Sequence, residues 1–172
     1  YGLAAEQGHA DAQCMLGGMH RDCDGGPEDF AEARRLLGLA AEQGHAIAQQ
    51  NLGHMHRDGE GGPVDFAEAR RLFGLAAAQG HADAQHNLGV MHHIGQGGPE
   101  DFAEARRLLG LAAEQGDADA QHNLGVMHRM GEGGSEHLAE ARRLIGLAAE
   151  QCAAKAKCIL GRMHRDGEGG PV

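Results

Sequence analysis

The chain has 172 residues and a mass of 18.0 kDa, with 41% apolar and 23% charged residues, which suits an ordinary folded domain and excludes a disordered or collagenous one. Fifteen basic residues against 25 acidic ones leave a net charge of −10, which opposes a phosphate-backbone partner, and an aromatic fraction of 3% without tryptophan removes the stacking platforms that single-stranded nucleic acid or sugars need. No apolar run approaches 18 residues, so no membrane insertion is expected, and a chain that opens on Tyr1-Gly2-Leu3 leaves any targeting segment outside it.

The elements follow from an internal repeat. Gly-Leu-Ala-Ala begins at Gly2, Gly38, Gly74, Gly110 and Gly146, a spacing of 36 residues with no insertion. The expected organisation is a single solenoid domain over 1–172. It comprises a partial second helix over 1–8, full repeats over 9–44, 45–80, 81–116 and 117–152, and a final first helix with its turn over 153–172.

In the third copy, Ala82 to His92 reads as a first helix, A, whose inner face carries Ala84, Leu88, Met91 and the ring of His92 at offsets of three and four. Gly95-Gln96-Gly97-Gly98-Pro99 terminates it, since glycine accepts left-handed geometry and proline stops propagation. Asp101-Phe102-Ala103-Glu104 then starts helix B with a capping-box pattern; Phe102, Ala105, Leu108, Leu109 and Ala113 point inward, Glu104 pairs with Arg107, and the helix ends near Gln115-Gly116. Small residues such as Ala84, Gly89, Ala105 and Ala112 let neighbouring backbones nest. At roughly 25 cal/mol per Å2 of buried apolar area, one such unit does not offset its chain entropy, so stability must come from stacking.

Ala-Asp-Ala-Gln-His-Asn-Leu-Gly-Val-Met-His, the Gly-x-Gly-Gly-Pro-x-Asp-Phe-Ala-Glu-Ala turn and the Ala-Ala-Glu-Gln-Gly ending together resemble the Sel-1-like repeat, over essentially the whole chain. A plain tetratricopeptide array of about 34 residues per unit is the other reading; the Gly-x-Gly turn favours the first. The resemblance implies an all-α fold, a right-handed α/α superhelix (solenoid) of helix-turn-helix repeats whose A helices line a concave face, and an adaptor that binds a protein or peptide there. The chain departs from the family in placing His20, His56, His92, His128 and His164 where tyrosine is usual, and in carrying aliphatic pairs such as Leu36-Leu37 and Leu108-Leu109 in helix B, whereas Tyr1 falls in the aromatic column of that helix.

The histidine column has two readings. Either each ring replaces a tyrosine, half buried and satisfied by backbone or water, or the column binds metal or a carboxylate-bearing partner. Successive solenoid units on the order of 10 Å apart do not bring ligands together within about 2.1 Å of one zinc ion, so no metal and no cofactor is expected; His86 and His122, projecting toward the groove from neighbouring units, are the nearest approach to a metal pair. Catalysis is not expected either, because the chain has no threonine and a single serine, Ser135, in a turn; the turn glycines read as helix terminators. Cys14 and Cys158 lie too far apart to pair, Cys23 has no partner near it and only Cys152 with Cys158 could approach, which mildly favours a reducing compartment and leaves localisation otherwise unassigned.

The candidate partner-binding face is built from residues turned away from the core stripe. These are Asp11, Cys14, Gly18 and Arg21 in the first copy and Ile47, Gln50, His54 and Arg57 in the second; the third supplies Asp83, His86, Val90 and His93, and the fourth Asp119, His122, Val126 and Arg129. These columns vary between copies, through drift on a solvated face or selection for one ligand. Arg34-Arg35, Arg70-Arg71, Arg106-Arg107 and Arg142-Arg143 lie beside glutamates and read as a solvated ion-paired face. If the column histidines are buried and neutral, stability should fall below about pH 6.5. The reading is an interaction scaffold without catalytic activity, with self-association through exposed solenoid ends; the alternative is a histidine-rich metal-binding or catalytic protein.

Overall fold

The structure, a computed structural model, describes residues 2–22 and 29–151 together with 159 and 163. Tyr1, the turn segment 23–28 with Cys23 and Pro27, and Cys152, Lys155, Lys157, Cys158 and His164 lie outside the described residues, as does most of the expected final helix and turn over 153–172. Among the described residues every regular element is an α-helix. In chain order these are α1 (Gly2–Glu6), α2 (Ala10–Arg21), α3 (Phe30–Glu42), α4 (Ala46–Asp58), α5 (Phe66–Ala78), α6 (Ala82–Ile94), α7 (Phe102–Glu114), α8 (Ala118–Met130) and α9 (Leu138–Glu150). The even-numbered helices are the A helices, the odd-numbered ones the B helices, and each set recurs at the 36-residue period.

Local chemistry sets the boundaries. Asp29, Asp65 and Asp101 each accept a hydrogen bond from the backbone N–H of Glu32, Glu68 and Glu104 at 3.0, 3.0 and 2.9 Å, closing the start of the B helices as the capping pattern requires. In α9 His137 holds the cap position and makes no such bond. Two A helices, α4 and α8, use a cap the sequence did not announce: His45 accepts from Ala48 N–H through Nδ1 at 3.2 Å, and Asp117 accepts from Ala120 N–H at 2.6 Å, whereas His9 before α2 makes no such bond. Gly59 and Gly131 stop α4 and α8 in left-handed geometry, with φ of 77° and 71°.

The described residues form two compact units, the first comprising residues to Ala84 with Gln96–Gly98, the second Gln85–Gly95 with Pro99 onward, so that the boundary falls inside α6. In the first unit α2 packs on α3, α3 on α4 and α4 on α5, around Leu37, Met55 and Leu72. In the second α7 packs on α8 and α8 on α9, around Leu109, Met127 and Leu144, with Ile145 and Met163 in an adjoining cluster. Of the inner stripes expected for helices A and B, Ala84, Leu88, Met91, Ala105, Leu108, Leu109 and Ala113 are all at most 8% exposed, whereas His92 and Phe102 are half-buried.

Two residue types hold the hairpins together. A glycine in each A helix lets a B-helix side chain lie against its backbone: a Cβ on Gly53 would stand 2.9 Å from the Phe73 ring, one on Gly89 2.9 Å from Leu109, and one on Gly125 2.6 Å from Ile145. A glutamine four residues earlier is buried in each of the four full copies. Gln13, Gln49, Gln85 and Gln121 are at most 5% exposed. Each accepts a hydrogen bond from the Nε2 of a second glutamine at the end of its own B helix, Gln43, Gln79, Gln115 and Gln151, at 2.8 to 3.1 Å. Gln13, Gln49 and Gln121 also donate to the carbonyls of Ala5, Ala41 and Ala113 on the preceding B helix, at 3.1 to 3.2 Å. One amide thus joins three helices, and leaving it half satisfied would cost about 1–3 kcal/mol.

The glycines of the two helices should respond oppositely to substitution. Gly125→Val forces Ile145 and the Ala141 carbonyl aside and should destabilise by about 1–3 kcal/mol through overpacking. Gly110→Ala, in the middle of α7 with nothing within 4 Å of the added carbon, should be stabilising by up to about 1 kcal/mol. Urea unfolding of the two variants reads both signs.

Candidate binding face and the side chains that frame it

Within each unit the A helices present a face whose framing begins with the histidine column. In the first unit Arg34 Nη2 donates to His56 Nδ1 at 2.6 Å. In the second Arg106 Nη2 makes the same bond to His128 Nδ1. The ring nitrogen is therefore satisfied by an arginine of the preceding B helix, not by backbone or water as the sequence suggested. The arginine reaches further: Arg70 Nη1 donates to the Gln96 carbonyl at 3.4 Å and Arg106 Nη1 to that of Glu132 at 3.5 Å, both in the glycine-rich turns. A Cβ on Gly62, Gly98 or Gly134 would collide with the guanidinium of Arg34, Arg70 or Arg106, and one on Gly61, Gly97 or Gly133 with the carbonyl of Phe30, Phe66 or Phe102. These turn glycines are seats for the neighbouring repeat as well as terminators.

The arginine pairs consequently divide. Arg35, Arg71, Arg107 and Arg143 form the expected exposed ion pairs with Glu32, Glu68, Glu104 and Glu140, each at 2.6 Å, holding those carboxyls below their ordinary range through the hydrogen bond; such exposed pairs contribute little to stability. Arg34, Arg70 and Arg106 serve as struts between repeats, which corrects the reading of a uniformly solvated face. The signal was present in the identity of this arginine in every copy, but adjacency to glutamate masked it.

In the first unit several face residues are engaged or buried. Cys14 is 7% exposed, its thiol pKa raised by burial and then by Asp11, so it belongs to the core and not to the face. Gln50 is also buried, at 8%, and donates to Asp83 at 3.2 Å. Arg21 pairs with Glu60 of the next turn at 2.8 Å, while Arg57, whose matching turn position is Gln96, pairs with Asp58 at 2.8 Å. Asp11 meets His45 at 3.1 Å, and Ile47 is 49% exposed.

In the second unit the face opens into a pocket of about 310 Å3. Val90 and His93 of α6 and His122, Asn123 and Val126 of α8 line it, over a floor of Leu109 and Met127, with Ile159 at one side. Val90, His93, His122 and Val126 of the candidate face thus converge there. Asp119 is exposed one turn before His122, Arg129 lies near the other end of α8, and His86 Nε2 meets Asn123 Nδ2 at 3.0 Å beside the pocket. His93 pairs with Glu132 at 2.8 Å. The exposed Ile94 and Met130, four residues after Val90 and Val126, continue the apolar stripe and were not singled out in the sequence.

His54 carries the largest displacement of a histidine pKa. Its ring stands edge-on to Phe73, centroids 5.0 Å apart, and burial, reinforced by the charges of Arg57 and Arg21 against the weaker pull of Asp58 and Asp83, holds its pKa at about 4 instead of 6.5. His56 and His128 are lowered too, first by burial and then by Arg34 and Arg106 respectively. A histidine lowered on folding contributes stability that is complete above about pH 6.5 and is lost as the pH falls toward its folded value. The melting temperature should therefore drop between pH 7.5 and 5. His54→Val, the residue found at the equivalent positions 90 and 126, should flatten that profile; an unaltered slope in circular-dichroism melts would place the sensitive group elsewhere.

The Sel1 repeat family matches residues 10–45, 46–81, 82–117, 118–151 and 154–172. Among solved structures, a protective antigen of uropathogenic Escherichia coli strains displaying an SLR fold is 37% identical with a TM-score of 0.94, over 98% of this chain and 36% of its own. A Sel1 repeat protein from Oxalobacter formigenes is 29% identical with a TM-score of 0.90, over 96% of this chain and 66% of its own. A sel1 repeat chain from Klebsiella pneumoniae subsp. pneumoniae, 24% identical with a TM-score of 0.59 over 94% of this chain and 80% of its own, bears on the fold alone. The chain spans 36% and 66% of the lengths of the first two. No curated protein matches it. With five matched repeats tiling the chain and helical hairpins recurring in each unit, the chain belongs to the Sel1 repeat family, an all-α solenoid of helix-turn-helix repeats.

Proposed function

We propose that the chain is a non-catalytic scaffold that holds a peptide or partner protein on the face of its A helices. The observation that carries this reading is a division of labour between columns. The buried glutamines, the helix-A glycines and the first arginine of each pair are the same in every full copy and lock the hairpins together, whereas the A-face column changes from Gly18 and His54 to Val90 and Val126, and the column buried as Cys14 and Gln50 in the first two copies becomes the half-buried His86 and His122. Structure is secured by the first set, so the second is released to vary with a ligand. Exposed backbone-supported helix faces of this kind take extended segments or amphipathic helices.

The metal-binding alternative has a weaker basis in the geometry. Among the described residues no three His, Cys, Asp or Glu side chains converge, and ring nitrogens of His45, His56, His93 and His128 are already engaged by protein groups. Saturating zinc should leave the melting temperature within 1–2 °C by this reading, an expectation resting on the roughly RT ln(1 + [L]/Kd) gain a true site would give.

Selection from a random peptide library displayed on phage tests the scaffold role. Selected peptides should lose at least tenfold in affinity on His122→Ala or Val126→Asp and keep it on Leu147→Ser, which alters a 36% exposed side chain of α9 on the B-helix side. Peptides indifferent to both A-face changes, or abolished by the α9 change alone, would overturn the assignment.

A further inference from the structure

We infer that the pocket of the second unit is an anchor site for one aliphatic side chain of an extended partner segment that carries lysine or arginine beside the anchor. This deepens the scaffold reading and rests on it.

The pocket coincides with a substitution inside the repeat. In the first unit the column holds Gly18 and then His54, whose ring stands edge-on to Phe73. In the second unit the same column holds Val90 and Val126, and Leu109 stands where Phe73 stands, so a ring-sized volume is exchanged for open space above an aliphatic floor. At about 310 Å3 the space is at the lower end of ligand pockets, enough for a side chain and too small for an ordinary cofactor. The polar groups at its edge are arranged for a chain passing over it. Asn123 spends its Nδ2 on His86, which fixes the amide and turns Oδ1 into the available acceptor for a backbone N–H.

Charge selects the flanking residue. Glu132 accepts a hydrogen bond from His93, whereas Asp119 is exposed one turn before His122, and the chain as a whole carries −10. Arg129 lies near the C-terminal end of α8, so a cationic residue of the partner belongs at the other end, over Asp119. Ile94, 49% exposed, and Met130, 61% exposed, replace the aspartates of the first two copies, Asp22 and Asp58, and extend the apolar stripe on which the segment lies. Burying one aliphatic side chain removes its apolar surface from water, which makes the pocket the natural point of strongest contact.

The test titrates the full chain, labelled at its methyl groups, with three synthetic peptides: Gly-Lys-Leu-Lys-Gly, Gly-Glu-Leu-Glu-Gly and Gly-Lys-Ser-Lys-Gly, all with blocked ends. The first should shift the Val90, Val126 and Ile159 methyl signals and bind at least tenfold more tightly than either of the others. Val126→His, which installs the residue this chain itself tolerates at 54, should abolish those shifts, and Val90→His serves the same purpose if that variant does not fold. Asp119→Asn should erase the preference for lysine over glutamate and keep the dependence on leucine. Equal binding of all three peptides, shifts confined to other methyls, or indifference to the histidine substitutions would overturn the proposal. If phage-selected peptides still depend on His122 but not on residues 90 and 126, the pocket assignment fails while the scaffold reading stands; if they ignore the A face altogether, the scaffold reading itself fails.

Discussion

The buried glutamine amide is the constraint on which the rest depends. An amide removed from water must find partners for its oxygen and its N–H groups, and Gln13, Gln49 and Gln121 place the oxygen and one N–H on two different helices besides their own. Apolar contacts among alanines and leucines are tolerant of small rotations and would let one hairpin slide on the next. A hydrogen bond of 2.8 Å to one helix and 3.1 Å to another is not tolerant, so the glutamine sets the register of stacking that the aliphatic core alone would leave loose. The glycine four residues later completes the arrangement by allowing the B helix close enough for the bonds to form.

A second interaction, the arginine strut, fixes the other end of each hairpin. Its guanidinium sits over paired glycines, donates into their turn and caps the ring of the column histidine, so one side chain replaces packing that a larger aromatic core would supply. Because the acceptor is a neutral imidazole nitrogen, the strut works only while that histidine stays unprotonated. The tyrosine usual at this column has no such dependence. Exchanging it for histidine trades aromatic bulk for a hydrogen bond whose strength varies with pH.

Most of the fold was legible in the sequence, because periodicity encodes it directly. The 36-residue spacing, the apolar offsets of three and four and the Asp-x-x-Glu start of helix B gave the helices to within two residues, as α6 ending at Ile94 instead of His92 illustrates. The candidate face was legible only in part. Helix geometry brought Val90, His93, His122 and Val126 to one face, but it misplaced Cys14 and Gln50, which the adjoining helices bury. A helical wheel assigns direction and knows nothing of what the next repeat covers. The same limit hid Arg21 with Glu60 and His93 with Glu132, pairs separated by 39 residues that join an A helix to the following turn.

The single column holding Gly18, His54, Val90 and Val126 shows how one backbone supports different surfaces. The position recurs at the same place in each A helix, and a Cβ built on Gly18 would meet nothing within 4 Å. Filled by imidazole over Phe73, the position becomes a desolvated base whose charged form the fold rejects. Filled by valine over Leu109, it becomes an aliphatic wall with space in front of it. No hydrogen bond of the glutamine or arginine lattice passes through the column, so neither choice disturbs the stacking. Side-chain volume at a position the framework ignores is therefore enough to convert a closed, pH-sensitive surface into an open, apolar one.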